Sequence, residues 1–302
     1  MGKISRRILL GTGFGLGGVA MAASALRQEN DANKNSSAAT SPPDDLPEVQ
    51  GNKKLKVVFV GAHTDDWVIC GGTIARYTRL GHEARFISFT PGDSISMADA
   101  AHISVEDLAA ARREQAVKGA EILGARIVFL DQKDLRMHVD PTSYQECNRL
   151  LLAEQPDVVF AMWPLEFHPD HRAAGNLAYN TWLQSGMKFA LHFCETPGGD
   201  EMQPQQFVPN RWVDVGSVIH LKRESVLANT FIKGWWPECE MHCKFRGREY
   251  GCHYAEAFVR VHTVASMPAR NLYPNWWYYG GLKLAGESIL PNFHLPAAGA
   301  RF

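Results

Sequence analysis

From Leu55 onward, short apolar runs alternate with longer stretches whose apolar positions recur at helical spacing. Leu55 to Gly61 (LKVVFVG) is almost continuously apolar, the pattern of a strand covered on both faces. Gly71-Gly72-Thr73 opens a helix to about Leu80, and Gly81 stops it. Glu83 to Phe89 predicts a second strand. Ser104 caps a long helix closed by Gly124, and Arg126 to Leu130 predicts a third strand. Asp140-Pro141 starts another helix, ending near Gln155-Pro156, and Asp157 to Met162 predicts a fourth strand. Helices between short buried strands imply right-handed crossovers and a mostly parallel sheet. The predicted fold class is therefore α/β, a Rossmann-like three-layer fold. Beyond about Gly198 the pattern loosens into a less regular C-terminal region, where only Val218 to Phe231 (helix) and Glu256 to His262 (strand) stand out. No internal repeat and no second domain boundary is visible.

The N-terminus follows a different plan. Residues 1–25 begin with Lys3, Arg6 and Arg7, continue through a Gly-softened apolar stretch and end in Ala23-Ser24-Ala25. A charged start, an apolar middle and small residues at the cut form the layout of a cleavable export signal. Ser5-Arg6-Arg7-Ile8-Leu9-Leu10 resembles a twin-arginine signal, which makes the twin-arginine export machinery an expected partner and the periplasm or another extracytoplasmic space the expected location. If uncleaved, the segment would anchor the chain in a membrane, although its glycines make it a poor spanning helix. Residues 26–53 are polar and rich in Pro, Ser and Asn, and read as a disordered linker, leaving 54–302 as the folded domain.

Composition narrows the field. The 302 residues carry 31 basic and 32 acidic side chains, and no basic run could neutralise several phosphates, so nucleic acid is not an expected partner. Only the N-terminal segment is apolar enough to raise the question of a membrane span. Cys239, Cys243 and Cys252 lie close together with His242 and His253 interleaved, but no CxxC pair occurs. Buried thiols or disulfides are the simpler reading than a second zinc site.

Two short clusters carry candidate chemistry. Gly61-Ala62-His63-Thr64-Asp65-Asp66 follows the first strand, where a dinucleotide-binding protein would have G-x-G-x-x-G. Two carboxylates there would repel a pyrophosphate and attract a cation. His168-Pro169-Asp170-His171 follows the fourth strand. In open α/β sheets that strand lies beside the first, and ligands sit in the crevice where the strand order reverses. The topology therefore brings both clusters to one crevice. Two imidazoles and a carboxylate there suit zinc with an open position, and equally ferrous iron. The plainer roles are helix caps for Asp65 and Asp66 and ordinary loop positions for His168 and His171.

These motifs are similar to those of the PIG-L/LmbE-type zinc-dependent N-deacetylases, whose signatures are A-H-P-D-D after the first strand and H-P-D-H after a later one. The resemblance runs from about Lys56 to Ala178 and includes Gly71-Gly72-Thr73, Gly92-Asp93, Arg112-Arg113-Glu114-Gln115 and the HPDH segment. It resumes weakly at Ala255-Glu256-Ala257-Phe258. It implies His63, Asp66 and His171 as ligands of one zinc ion, Asp65 as general base, and His168 as the group facing the developing oxyanion or the leaving amine. Arg112 and Asp134 are implied as substrate contacts. Asp170 would either orient an imidazole or cap the following helix. The implied function is an exported metal-dependent N-deacetylase acting on an N-acetylated amino sugar or glycoconjugate, a small-molecule or glycan substrate. Its alternatives are an amidase for another acylated amine and a non-catalytic carbohydrate-binding homologue. Thr64 replaces the usual proline, Trp67 a frequent acidic residue and Gln115 a glutamate, and the common His-x-Ser-Gln stretch has no counterpart near Asn229. Trp67 would either face the substrate or pack. Trp163, Trp235, Trp236, Trp276 and Trp277 offer flat surfaces for sugar rings, with packing the simpler role for most.

Overall fold

The computed structural model describes residues 45–196 and 207–261, so the signal segment, most of the linker, Trp276 and Trp277 lie outside the described residues. Among the described residues there are seven strands, β1 (Lys56–Gly61), β2 (Glu83–Ser88), β3 (Ala125–Phe129), β4 (Val158–Met162), β5 (Ala190–Cys194), β6 (Arg211–Asp214) and β7 (Ala255–Arg260). Seven α-helices accompany them: α1 (Gly71–Arg79), α2 (Ile95–Ala101), α3 (Val105–Ile122), α4 (Pro141–Ala153), α5 (Pro169–Gln184), α6 (Ile219–Ala228) and α7 (Trp236–Tyr250). Ser104 and Asp140 cap α3 and α4 as their positions predict, each side chain accepting from a backbone N–H three residues on.

The strands form one sheet in the order β3-β2-β1-β4-β5-β7-β6. Its first five members are parallel, and β7 runs antiparallel between β5 and β6. β1 lies beside β4, with Val57 opposite Val158 and Val60 opposite Ala161, so the strand order reverses between them. Both strands are buried almost throughout, which explains their unbroken apolar runs. Gly175 permits α5 to lie directly against the end of β4: a Cβ there would stand 2.4 Å from the Met162 carbonyl oxygen.

Trp67 packs. It is buried, stacks on Phe86 at 5.7 Å and donates its indole N–H to the Thr64 carbonyl at 2.9 Å. Gln115 ties α3 to the loop after α6 through Thr230, whose backbone N–H donates to its side-chain oxygen at 2.7 Å.

The region beyond Gly198 is more regular than its sequence suggests, containing β6, α7 and β7. Glu256 on β7 explains part of that order. Its buried carboxylate accepts from the Gly72 and Thr73 backbone N–H groups at the start of α1 (2.9 and 2.7 Å) and from Lys222 Nζ at 2.6 Å. Residues 45–49, expected in the linker, dock on the fold. Asp45 is buried against Arg76 at 2.7 Å, Leu46 joins the core and Glu48 reaches His192 at 3.3 Å. The sequence hides this because two short polar-flanked anchors do not make a periodic pattern. All six cysteines are free thiols, and Cys239, Cys243 and Cys252 belong to no metal-capable cluster among the described residues. No described helix is long and apolar enough to cross a membrane.

Candidate active site

The turn after β1 folds back on itself. Gly61 allows this, since a Cβ would stand 2.6 Å from the Phe59 ring and 3.0 Å from Asp66 Cβ. Asp66 Oδ2 then accepts from the backbone N–H groups of Ala62 (2.7 Å) and His63 (2.8 Å). Its Oδ1 is left facing two imidazoles, 3.4 Å from His63 Nδ1 and 3.2 Å from His171 Nε2. His171 arrives from the first turn of α5, and its Nε2 lies 3.0 Å from His63 Nδ1. Residues 108 positions apart in sequence thus share one buried point.

This donor set fits a zinc ion. Tetrahedral coordination at ordinary Zn–N and Zn–O lengths separates neighbouring ligand atoms by roughly 3.3–3.5 Å, close to the 3.0, 3.2 and 3.4 Å found here. Each imidazole is also oriented from behind by a carboxylate, the usual arrangement for metal-binding histidines. His63 Nε2 lies 3.3 Å from Asp170 Oδ2, and His171 Nδ1 lies 2.9 Å from Glu166 Oε2 in a contact bent away from ideal hydrogen-bond geometry. Burial alone would lower the pKa of both rings. The Asp66 carboxylate, with Asp170 beside His63 and Glu166 beside His171, outweighs it and raises His63 to about 10 and His171 to about 9. Burial opposes ionisation of Asp66, but His171 and His63 hold it well below the usual carboxylate range.

His168 stands at the edge of this set. Its ring lies 4.7 Å from that of His63 and 4.6 Å from that of His171. It caps α5, with Nδ1 accepting from the Asp170 backbone N–H at 3.2 Å. An accepting Nδ1 places the proton of the neutral ring on Nε2, which becomes a donor. Burial and the nearby His171 and His63 charges push its pKa down to about 4, keeping the ring neutral.

Asp65 and Asp66 diverge. Asp65 leaves the ligand cluster and meets Arg112, whose Nη2 lies 3.0 and 2.9 Å from its two oxygens. Arg112 is buried, and its Nη1 approaches Asp134 Oδ2 at 3.8 Å. The residue expected to contact substrate is thus directed at Asp65. Asp134 borders the same cavity, and burial raises its pKa. Its loop is fastened by Asp170, which accepts from the backbone N–H groups of Leu135 (2.6 Å) and Met137 (3.2 Å). This fastening holds Leu135 in the left-handed region at φ 60°. The cap of α5 is His168, and the Asp170 side chain lies beside the His63 imidazole and the Leu135 and Met137 amides.

A cavity of about 940 Å³ opens over these groups. Asp65, Arg112, Asp134, His168 and the three clustered donors all line it. Trp235 is exposed at its wall, whereas Trp163 packs on Phe193 and Phe207 at 5.8 and 5.2 Å. Glu166 was not foreseen. Fully buried, it approaches His171 and accepts from the His168 backbone N–H at 2.8 Å. A lone acidic residue two places before the HPDH motif was the available signal. The wall formed by α7 was not foreseen either.

Residues 58–182 match the profile of the PIG-L family, described as GlcNAc-PI de-N-acetylase. The diacetylchitobiose deacetylase of Thermococcus kodakarensis is 29% identical over 222 residues, which span 68% of this chain and 82% of that protein. Among solved structures, N,N'-diacetylchitobiose deacetylase from Pyrococcus horikoshii, complexed with its inhibitor MPG, superposes with a TM-score of 0.60 at 24% identity, covering 80% of this chain and 97% of that one. GalB, the 4-carboxy-2-hydroxymuconate hydratase of Pseudomonas putida, superposes with a TM-score of 0.61 at 22% identity, covering 71% and 99%. A hydratase and a deacetylase on one scaffold mean that the reaction must be argued from the side chains.

Proposed function

Through residues 58–182 the chain belongs to the PIG-L family, and on that premise we propose that it is a zinc-dependent N-deacetylase of N-acetylated amino sugars or their glycoconjugates. The observation that carries this reading is the meeting of His63, Asp66 and His171 at 3.0–3.4 Å with Asp65 left outside the set. The chemistry zinc supplies in such a set is Lewis acidity, which makes an amide carbonyl more electrophilic and a water more acidic.

The remaining work falls to the chain. Asp65 takes a proton from the attacking water, and Arg112 keeps its carboxylate from rotating away. His168 Nε2–H donates to the carbonyl oxygen as negative charge develops on it. Asp65 then returns the proton to the amide nitrogen as the C–N bond breaks, leaving acetate and a free amine. The apolar side chains around the cavity, Phe167, Trp235, Met241 and Phe245, favour a second reading in which the acyl group is bulkier than acetyl.

Metal quantification with an acetate-release assay on N-acetylglucosamine tests the proposal. About one zinc per chain is expected for a single three-ligand site. Asp65→Asn should keep the metal and lose turnover, and full turnover in that variant removes Asp65 from its role. A panel of longer N-acyl glucosamines separates the two readings. Export rests on the segment containing Arg6 and Arg7. Delivery in the folded state would let metal loading finish before transport, because site formation and folding are coupled. Replacing Arg6-Arg7 with Lys-Lys should strand the protein in the cytoplasm on fractionation.

A further inference from the structure

The cavity has a second polar corner that the hydrolysis does not use. Met241 and Phe245 lie along α7 on the cavity wall, with Trp235 just ahead of the helix, and all three are exposed apolar surfaces. His242 lines the cavity among them. Its Nε2 lies 2.8 Å from Glu195 Oε2, and Glu195 is itself buried and gripped by Arg246 through Nε (2.7 Å) and Nη2. Arg246 is fixed in turn by Glu249 at 2.8 and 2.9 Å. Burial works against the Glu195 charge, but His242 and Arg246 overcome it and lower its pKa.

A carboxylate only accepts hydrogen bonds, so His242 Nε2 carries a proton and the neutral ring presents Nδ1 as an acceptor. No protein group takes Nδ1 among the described residues. Glu238, one helical turn earlier, lines the same cavity and is a second acceptor. Away from the His63 and His171 cluster cations are scarce: among the described lining residues there is no lysine, and Arg112, the one arginine, is committed to Asp65. The corner therefore welcomes hydrogen-bond donors and offers nothing to neutralise a phosphate. The cavity also lies near the top of the ~300–1,000 Å³ range of small-molecule sites, leaving room beyond the group that carries the amide.

We propose that His242, held by Glu195 and assisted by Glu238, forms a subsite for an uncharged hydroxyl-bearing group attached to the N-acetylated sugar, such as a second sugar ring, and disfavours phosphate-linked substrates. This rests on the deacetylase reading and names its substrate class. His242 is a specificity-determining residue that takes no part in bond cleavage.

The test is acetate release from N-acetylglucosamine, N,N'-diacetylchitobiose and N-acetylglucosamine 1-phosphate by wild type, His242→Phe and His242→Asn. His242→Phe keeps the ring bulk and removes the acceptor. It should raise KM for the disaccharide about 3- to 10-fold more than KM for the monosaccharide, the range of one lost hydrogen bond, with kcat little changed. His242→Asn should recover part of the loss, and the 1-phosphate should be a poorer substrate than its parent sugar. Equal effects on both sugars, or a lower KM for the phosphate, overturn the proposal. If wild type releases acetate from none of the three, the deacetylase reading fails by itself. Calorimetric binding of chitobiose then decides the subsite, with weaker binding to His242→Phe supporting it and unchanged binding overturning it.

Discussion

Arg112 Nη2 lies within hydrogen-bond distance of both oxygens of Asp65, at 2.9 and 3.0 Å, and the two side chains are only 3% and 5% exposed. Breaking a buried pair leaves an uncompensated charge and costs about 3–5 kcal/mol. Arg112→Ala is therefore expected to be destabilised to that extent in urea unfolding. It should also lose about 100-fold in kcat while retaining zinc, because Asp65 loses its orientation and the ligand set does not. Arg112→Lys supplies a charge without the planar guanidinium and should recover stability better than rate.

The carboxylates behind the imidazoles give a separate expectation. Asp170→Ala frees His63 Nε2, and Glu166→Ala frees His171 Nδ1. Each should weaken zinc binding about 10- to 100-fold in a chelator competition. Asp170→Ala should also release Leu135 and Met137 from their backbone anchors, seen as faster hydrogen exchange in that loop. Unchanged zinc affinity in both variants would argue against the proposed ligand set.

His168 caps α5, and substitution can divide that role from its proposed one as donor to the carbonyl oxygen. His168→Ala removes the cap of α5, at a cost of about 1 kcal/mol, and the donor facing the carbonyl oxygen, at about 10²–10³ in kcat. His168→Asn keeps a good capping residue. It should restore the midpoint of thermal unfolding without restoring the rate.

His192 sets an acid limit on stability away from the site. It is buried against Phe160 at 5.0 Å, and burial lowers its pKa below 6.5 despite Glu48 at 3.3 Å. With the folded pKa below the unfolded one, the unfolded chain binds the extra proton first as pH falls. Stability from this group is present above about pH 6.5 and is lost progressively below it. Urea midpoints measured between pH 7.5 and 5 should fall less steeply in His192→Phe than in wild type.

Trp67 can be tested as a core residue. Its ring fills the space against Gly119, where a Cβ would stand 2.5 Å from it. Trp67→Ala should cost about 3–5 kcal/mol and change KM little.

Order along the chain is enough to tell which residues the fold brings together at the ends of β1 and β4. β1 and β4 are legible because strands covered on both faces are apolar throughout, and their adjacency brings the His63 and His171 turns together. It does not tell what depends on contacts across the fold. α7 carries Cys239, His242, Arg246 and Glu249 at spacings that make no apolar stripe, and it is tied down from elsewhere in the chain by Glu195, which holds Arg246, and by Lys222, which reaches Cys243. The contacts of Glu166 with His171 and of Arg112 with Asp65 are not legible in the sequence, because nothing local says which imidazole or carboxylate each will meet. Asp45 and Leu46 are single anchors in a polar stretch, too few to stand out.

The place of β7 bears on how the molecule is made. Its residues leave the ribosome after those of β6, yet it must slot between β5 and β6, and its Glu256 braces the beginning of α1. Until residue 260 emerges, β5 has an open edge and two amides at the start of α1 lack their acceptor. Nascent chains shorter than this should therefore be protease-sensitive, and catalytic competence should arise in one late step after synthesis rather than grow as the polypeptide lengthens.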